Sequence, residues 1–238
     1  MKLLGFEIFD GDMSSVLSKK KEQCIINTIN PHSYITSLSD PIFHKALSAS
    51  DVLLPDGSGI VIASKILNKR SIDKFTGPEA LNFALNYLNK AKSKVYFLGS
   101  SQKTLSAIES KINKKYRNIN VRTYSPPFVD NFTDIENHEM INDIGDFNPD
   151  LVCIGMTAPK QEKWVYINRN ELPNCHIMAI GAAFDWFSEM KTPPSAISHK
   201  LHLAWLERFF REPIRMIPRI KSMLHFLYII MKKWIRKY

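Results

Sequence analysis

The chain predicts a doubly wound α/β domain with a mostly parallel, Rossmann-like sheet. Three observations carry that prediction. Short apolar runs rich in β-branched residues recur along the chain, most end in glycine or turn residues, and a helical period generally follows. Apolar strands without alternation are strands buried on both faces, as in a parallel sheet covered by helices. The 238 residues suffice for one sizeable core plus an appendage, and a hydrophobic share of 45% with 23% charged is ordinarily globular.

Taken in order, residues 3–9 are a weak strand candidate and residues 24–30 a strong one. Residues 52–55 form a third run that turns at Asp56, Gly57 and Gly59 into a helical pattern over residues 60–67. Residues 94–99 end at Gly99 and lead into a helix over residues 105–116, with Ser101 as its N-cap. Residues 121–124 are a second weak candidate. Residues 151–155 end at Gly155, after which Pro159 is expected to open a helix as its first residue. Residues 176–180 end at Gly181, shortly before Phe184 and Asp185. Thr192, Pro193 and Pro194 then break the pattern, dividing an α/β body over residues 1–192 from a basic helical appendage over residues 193–238.

Charge separates the same two parts. Residues 199–238 hold ten Lys and Arg against two Glu, a net +8 of the chain's +9. Apolar residues 223–231, broken only by His225, are too few to span a bilayer as a helix. Followed by Lys232, Lys233, Trp234, Arg236 and Lys237, they suit a helix lying in an anionic membrane interface. Binding of nucleic-acid phosphates and simple packing on the body are the alternatives. Cys24, Cys153 and Cys175 sit in or beside apolar strands and fit buried thiols in a reducing compartment. No basic, apolar leader is evident, so the chain is expected in the cytoplasm.

The sharpest site signal is the junction after residue 155. Lys160, Gln161 and Glu162 fall in the first turn of a helix at the carboxyl edge of the sheet, where α/β folds bind ligands. Helix N-termini also suit anions. In the appendage, Arg208, Arg211 and Arg215 recur at helical spacing, although Pro213 opposes an unbroken helix; such arginines suit a diphosphate, or a surface stripe paired with Glu207 and Glu212.

In this order and spacing, the motifs resemble the WecG/TagA/CpsF family, glycosyltransferase family 26. The matching residues run from Thr28 and Asn30 through Pro55, Asp56, Gly57 and Gly59 to Gly77, Gly99, Gly155 and Pro159 to Trp164. They continue with Gly181 to Asp185, Trp205 to Arg208, and Glu212 to Arg215. Thr192, Pro193 and Pro194, preceded by Lys191, stand where the family has Arg-Ala-Pro, and Leu201 to Trp205 where it has Gly-Leu-Glu-Trp. The resemblance implies an inverting transfer from a UDP-sugar to a polyprenyl-diphosphate-linked saccharide at the cytoplasmic membrane face. The sugar would be of N-acetylmannosamine type, a uronic derivative or glucose, for teichoic acid, capsule or other exopolysaccharide. Self-association is also implied.

On that reading Asp56 is the general base, Asp185 its rival, and Thr28 and Asn30 contact hydroxyls. Gly57, Gly99, Gly155, Gly181 and Phe184 would line the nucleotide's path. Arg208, Arg215 and Arg219, with Lys160, would neutralise the departing diphosphate. Asp10, Gly11 and Asp12 have the form of a metal-binding motif but read as well as a turn, so no metal requirement is expected. No nucleic-acid partner is expected either. A nicotinamide-dependent oxidoreductase is disfavoured because no Gly-x-Gly-x-x-Gly follows a strand. A non-catalytic membrane- or nucleic-acid-binding module is the remaining alternative.

Overall fold

A computed structural model describes residues 1–19, 22–192 and 204–237, leaving aside the side chains of residues 204–206, Arg208, Arg215 and Lys237. A two-stranded antiparallel hairpin, β1 (Lys2–Leu3) and β2 (Phe6–Glu7), comes first. The expected strand over residues 3–9 is thus folded back on itself. Leu4 and Gly5 both take positive φ, 56° and 92°, and supply the reversal. After α1 (Met13–Leu17) comes β3 (Cys24–Ile29), then α2 (Pro31–Ser37), α3 (Pro41–Ser48), β4 (Val52–Pro55), α4 (Ser58–Asn68) and α5 (Gly77–Leu88). β5 (Ser93–Gly99), α6 (Gln102–Lys115), β6 (Ile119–Tyr124), α7 (Asp134–Phe147), β7 (Leu151–Gly155), α8 (Lys160–Ile167), β8 (His176–Ala179) and α9 (Ala183–Phe187) follow.

The six strands β3 to β8 form one parallel sheet in the order β4-β3-β8-β7-β5-β6. Alternate residues of each strand face opposite layers. Ile26, Leu54, Val95, Phe97, Cys153 and Met178 pack with α1, α5, α6 and α9. Ile29, Leu53 and Ile60 pack with the hairpin, α2 and α3, and farther along the same face Tyr96, Val152 and Ile177 pack under α7 and α8. Strands β3 and β8 are neighbours, yet the helices that follow them, α2 and α9, cover opposite faces. That divergence opens a crevice at the carboxyl edge, where open α/β sheets bind ligands.

The carboxyl-terminal part is helical: α10 (Ala204–Arg211) and α11 (Pro213–Lys237). The chain breaks at Glu212, with Pro213 as the first residue of α11, a position where its missing N–H is harmless. Arg208 and Arg211 therefore lie on one helix and Arg215 on the next, not on a single stripe. The expected boundary at residue 193 opens a stretch, residues 193–203, outside the described residues. Helix α11 packs on α2 and α4, burying Met216, Ser222, Phe226 and Ile230. The Phe226 ring meets Tyr34 edge-on at 5.4 Å. The opposite face exposes Leu224, Tyr228, Met231 and Ile235.

The two faces should respond differently to mutation. Phe226 is 0% exposed, so Phe226→Ala is expected to cost about 3–5 kcal/mol in denaturant unfolding. Leu224 is 63% exposed, so Leu224→Ser should stay within about 0.5 kcal/mol of the parent.

Candidate active site

Five strand ends bring the candidate residues to one edge. At the β3 end, Asn30 caps α2: its Oδ1 accepts from Ser33 N at 3.0 Å, and its own N–H donates to Ser33 Oγ at 2.8 Å. This reciprocal cap orients the amide. With Oδ1 turned to the helix, Nδ2 faces Asp56 Oδ2 at 3.4 Å, a long hydrogen bond. Asp56 follows β4, and its backbone N–H donates to Ile29 O at 2.8 Å, prolonging the β3–β4 ladder to the carboxylate. Gly57 then turns with φ +89°, a conformation glycine adopts without penalty, and α4 begins. Thr28, half-buried, lies two residues before Asn30 on β3 and opposite Leu54 of β4.

A second group sits across the crevice on β7 and β8. Pro159, joined to Ala158 by a cis peptide bond, occupies the N-cap position of α8 and not the first helical position expected. Gln161 and Glu162, each 3% exposed, are buried at the helix start. Gln161 Oε1 accepts from Met156 N at 3.2 Å and its Nε2 donates to Glu162 Oε1 at 2.9 Å. A Cβ placed on Gly181 would lie 3.3 Å from Gln161 Oε1, so the β8 turn presses on the same amide. Glu162 Oε2 has no hydrogen-bond partner among the described residues, and burial pushes this carboxyl up to about 7.

Lys160 points elsewhere. Its ammonium donates to Val129 O and sits 3.6 Å over the Phe132 ring, with burial lowering its pKa. It thereby ties α8 to the loop after β6. The glycines at strand ends have packing reasons: a Cβ on Gly155 would fall 2.3 Å from the Phe184 ring. Phe184, fully buried, also meets Phe97 edge-on at 5.3 Å, while a Cβ on Gly99 would press on the Gly155 carbonyl at 2.7 Å. Phe184 therefore supports the strand ends from below.

Asp185 lies inside α9, 3.4 Å from Lys191, whose ammonium also meets Glu212 at 2.8 Å. Lys191 thus links α9 to the start of α11. Arg211 pairs with Glu207 and donates to Thr192 O at 2.9 Å, as the surface-stripe reading expected for this residue. Arg208 on α10 and Arg215 on α11 have side chains outside the described residues. Arg219, on α11, is close enough to His32 of α2 to add to the burial that depresses the His32 pKa. Asp10 pairs with Arg70, and Asp12 caps α1 by accepting from Ser14 N at 3.0 Å and Ser15 N at 3.2 Å. Among the described residues no three His, Cys, Asp or Glu side chains gather into a group able to hold a metal ion.

A carboxylate beside an asparagine donor thus stands at the open carboxyl edge of a doubly wound sheet, the edge at which α/β enzymes bind their ligands. The family model described as "Glycosyl transferase WecG/TagA/CpsF family" matches residues 1–238. The chain belongs to that family of glycosyltransferases. It is 30% identical over 197 residues to an N-acetylglucosaminyldiphosphoundecaprenol N-acetyl-beta-D-mannosaminyltransferase of Bacillus subtilis strain 168, covering 82% of this chain and 75% of that protein. Proteins of the same description from Bacillus spizizenii W23 (25%; 88% of this chain, 82% of the relative) and Staphylococcus aureus MW2 (26%; 87% and 79%) are also similar.

His32 and Met156 were not among the residues read from the sequence. The Met156 contact is through a backbone N–H, which no residue type signals, and the His32 contact spans 190 positions.

Glu162 has a pH signature. The folded chain holds its carboxyl proton more tightly than the unfolded chain, so the folded state binds more protons between the ordinary value near 4.5 and about 7. Stability from this group is present below pH 4.5 and is lost as pH rises to about 7. Relative to Glu162→Gln, the parent should lose on the order of 3 kcal/mol across that window, as read by urea unfolding at each end.

Proposed function

We propose that the protein transfers a sugar from a UDP-sugar to a polyprenyl-diphosphate-linked saccharide during synthesis of a cell-surface polymer. The observation that carries this reading is the Asn30–Asp56 pair, 3.4 Å apart at the carboxyl edge of neighbouring parallel strands. The relatives' described activity makes an N-acetylmannosamine-type donor the first choice, ahead of a uronic derivative or glucose. It also makes N-acetylglucosaminyl-diphosphoundecaprenol the first acceptor to test.

Asp56 takes the proton of the acceptor hydroxyl as that oxygen attacks the anomeric carbon. The new glycosidic bond forms while the bond from that carbon to the β-phosphate oxygen breaks, with inversion, and UDP leaves. Asn30 holds the carboxylate, and Thr28 beside it contacts a sugar or acceptor hydroxyl. Across the crevice, Gly181 at the end of β8 lies one strand spacing from β3, and Gly155, Gln161 and Glu162 at the end of β7 lie two spacings away, roughly 10 Å; together they border the donor. Gly57, Gly99 and Phe184 shape the floor, and Lys160 holds the loop over it. Arg208, Arg215 and Arg219 stabilise the diphosphate charge, a role that needs no metal.

Leu224, Tyr228, Met231 and Ile235 recur every three or four residues on the open face of α11, with Lys232, Lys233 and Arg236 exposed beside them. This supports a helix lying on an anionic membrane, where each basic residue contributes about 1 kcal/mol. No described helix is long and apolar enough to cross a membrane. In this reading the enzyme is a peripheral protein on the cytoplasmic face and has no nucleic-acid partner.

Asp56→Asn is expected to lower turnover by about 10² to 10⁴ while leaving UDP affinity near normal. The assay uses a short-chain acceptor analogue, a panel of UDP-sugars and excess chelator. Near-normal turnover in the variant would remove Asp56 as base, and activity that vanishes with chelator and returns with Mn²⁺ would remove the arginine assignment. Separately, Leu224→Glu with Tyr228→Glu should reduce sedimentation with anionic vesicles without lowering Tm. Unchanged sedimentation would place the membrane contact on another surface.

A further inference from the structure

His32 stands one residue past the proline that opens α2, and it reaches across to α11. Its Nδ1 lies 2.9 Å from Ser222 Oγ. The Ser222 hydroxyl is buried and lies 3.0 Å from Pro218 O, one turn earlier in the same helix. A serine hydroxyl carries a single proton, and a carbonyl oxygen can only accept. The proton therefore goes to Pro218 O, and Ser222 Oγ accepts from a protonated Nδ1 of His32. Burial, and after it the neighbouring Arg219 charge, disfavours the imidazolium form, and the proton this contact requires is the one on Nδ1.

The same junction is tightly packed. A Cβ on Gly59 would fall 2.3 Å from Pro31 and 3.5 Å from Met223 Sδ, so α2, α4 and α11 meet with no spare volume. Pro31 is next to Asn30, and Gly59 lies three residues after Asp56. On α11, Arg219 precedes Ser222 by three residues and so shares its side of the helix. Apolar burial of Phe226 and Ile230 holds α11 down but is non-directional. A buried side-chain hydrogen bond adds direction, setting the rotation and axial position of the turn that carries Arg219.

We propose that His32 is a positioning residue: by donating Nδ1–H to Ser222, it fixes the Arg219 turn of α11 against the edge that carries Asp56. The inference rests on the reading of Arg219 as a diphosphate contact. A misplacement of about 1 Å at such a contact can cost on the order of 10² in rate, which gives a joint of this kind its value.

The probe is inorganic pyrophosphate with the full-length chain. Ring-nitrogen NMR shifts should show His32 protonated on Nδ1 in the parent, with that preference lost in Ser222→Ala. Ser222→Ala should weaken pyrophosphate binding by about 2- to 10-fold, the effect of one hydrogen bond. His32→Asn, which keeps a donor, should retain most of the affinity. In an Arg219→Gln background, Ser222→Ala should have no further effect, because the group being positioned is gone. His32→Phe repeats the measurement from the other side of the bond should Ser222→Ala fold poorly. Protonation on Nε2 in the parent, or a ring pattern unchanged in Ser222→Ala, overturns the joint. Effects of Ser222→Ala and Arg219→Gln that simply multiply overturn the positioning role. If Arg219→Gln binds pyrophosphate as tightly as the parent, the diphosphate reading itself fails and takes the positioning role with it. The NMR shifts then still report on the joint independently.

Discussion

One amide orders the carboxyl edge of the sheet at Asp56. Asn30 must close the first turn of α2, whose leading N–H groups would otherwise lack partners, and it does so with Oδ1. Turning the amide over would break that bond and set Nδ2 against the Ser33 N–H, donor to donor. Its Nδ2 donors are then directed away from α2, toward Asp56. A helix cap and a carboxylate contact are thus one structural decision. Asn30 is the single residue between β3 and α2, so the spacing between strand and helix determines where the donor points.

The C-terminal helix illustrates a similar economy on a larger scale. One side of α11 completes a core with Tyr34 and Phe226, while the other leaves a row of apolar side chains in solvent among basic ones. A helix needing only to pack would carry polar residues on its outer face. Packing on the body and lying on a membrane are therefore compatible uses of opposite faces. They also share a direction: the buried side faces α2 and α4, both of which begin at the carboxyl edge of the sheet. Lys191, held between Asp185 and Glu212, adds an ionic tie between α9 and the start of this helix.

The sheet was legible because its strands are buried on both sides. Runs such as residues 151–154 and 177–180 are apolar at every position, a pattern few other structures produce. The strand at residues 119–124 gave a weaker signal because β6 lies at the sheet edge, where only Ile119 is fully buried. The hairpin was misread as one strand because its reversal uses Leu4, a residue with no turn preference, beside Gly5. At the site, Asp56 and Asn30 were legible as strand-end polar residues. The reasons for the glycines were not: the Cβ excluded at Gly155 would meet Phe184, 29 positions later, and no local pattern encodes such a contact. The helix break at Pro213 followed the ordinary rule, and it separated arginines whose spacing alone suggested one face.

Glu162 raises a different question, because an inward-facing carboxyl with an unpartnered oxygen works against stability. Local structure does not require it: the cap position of α8 is filled by Pro159, and Gln161 alone satisfies Met156 N. What Glu162 does supply is an acceptor for Gln161 Nε2, fixing which end of that amide faces the β7 turn. Exchange of the two ends would put Nε2 against Met156 N–H, donor to donor. The buried carboxyl thus enforces one amide orientation at the mouth of β7, as Ser33 enforces the orientation of Asn30 at the mouth of β3. Both sides of the crevice present a side-chain amide held by a neighbouring residue, and in both the holding residue lies within three positions of the amide. Preorganisation of this type places the reorganisation penalty in folding and keeps it out of the chemical step.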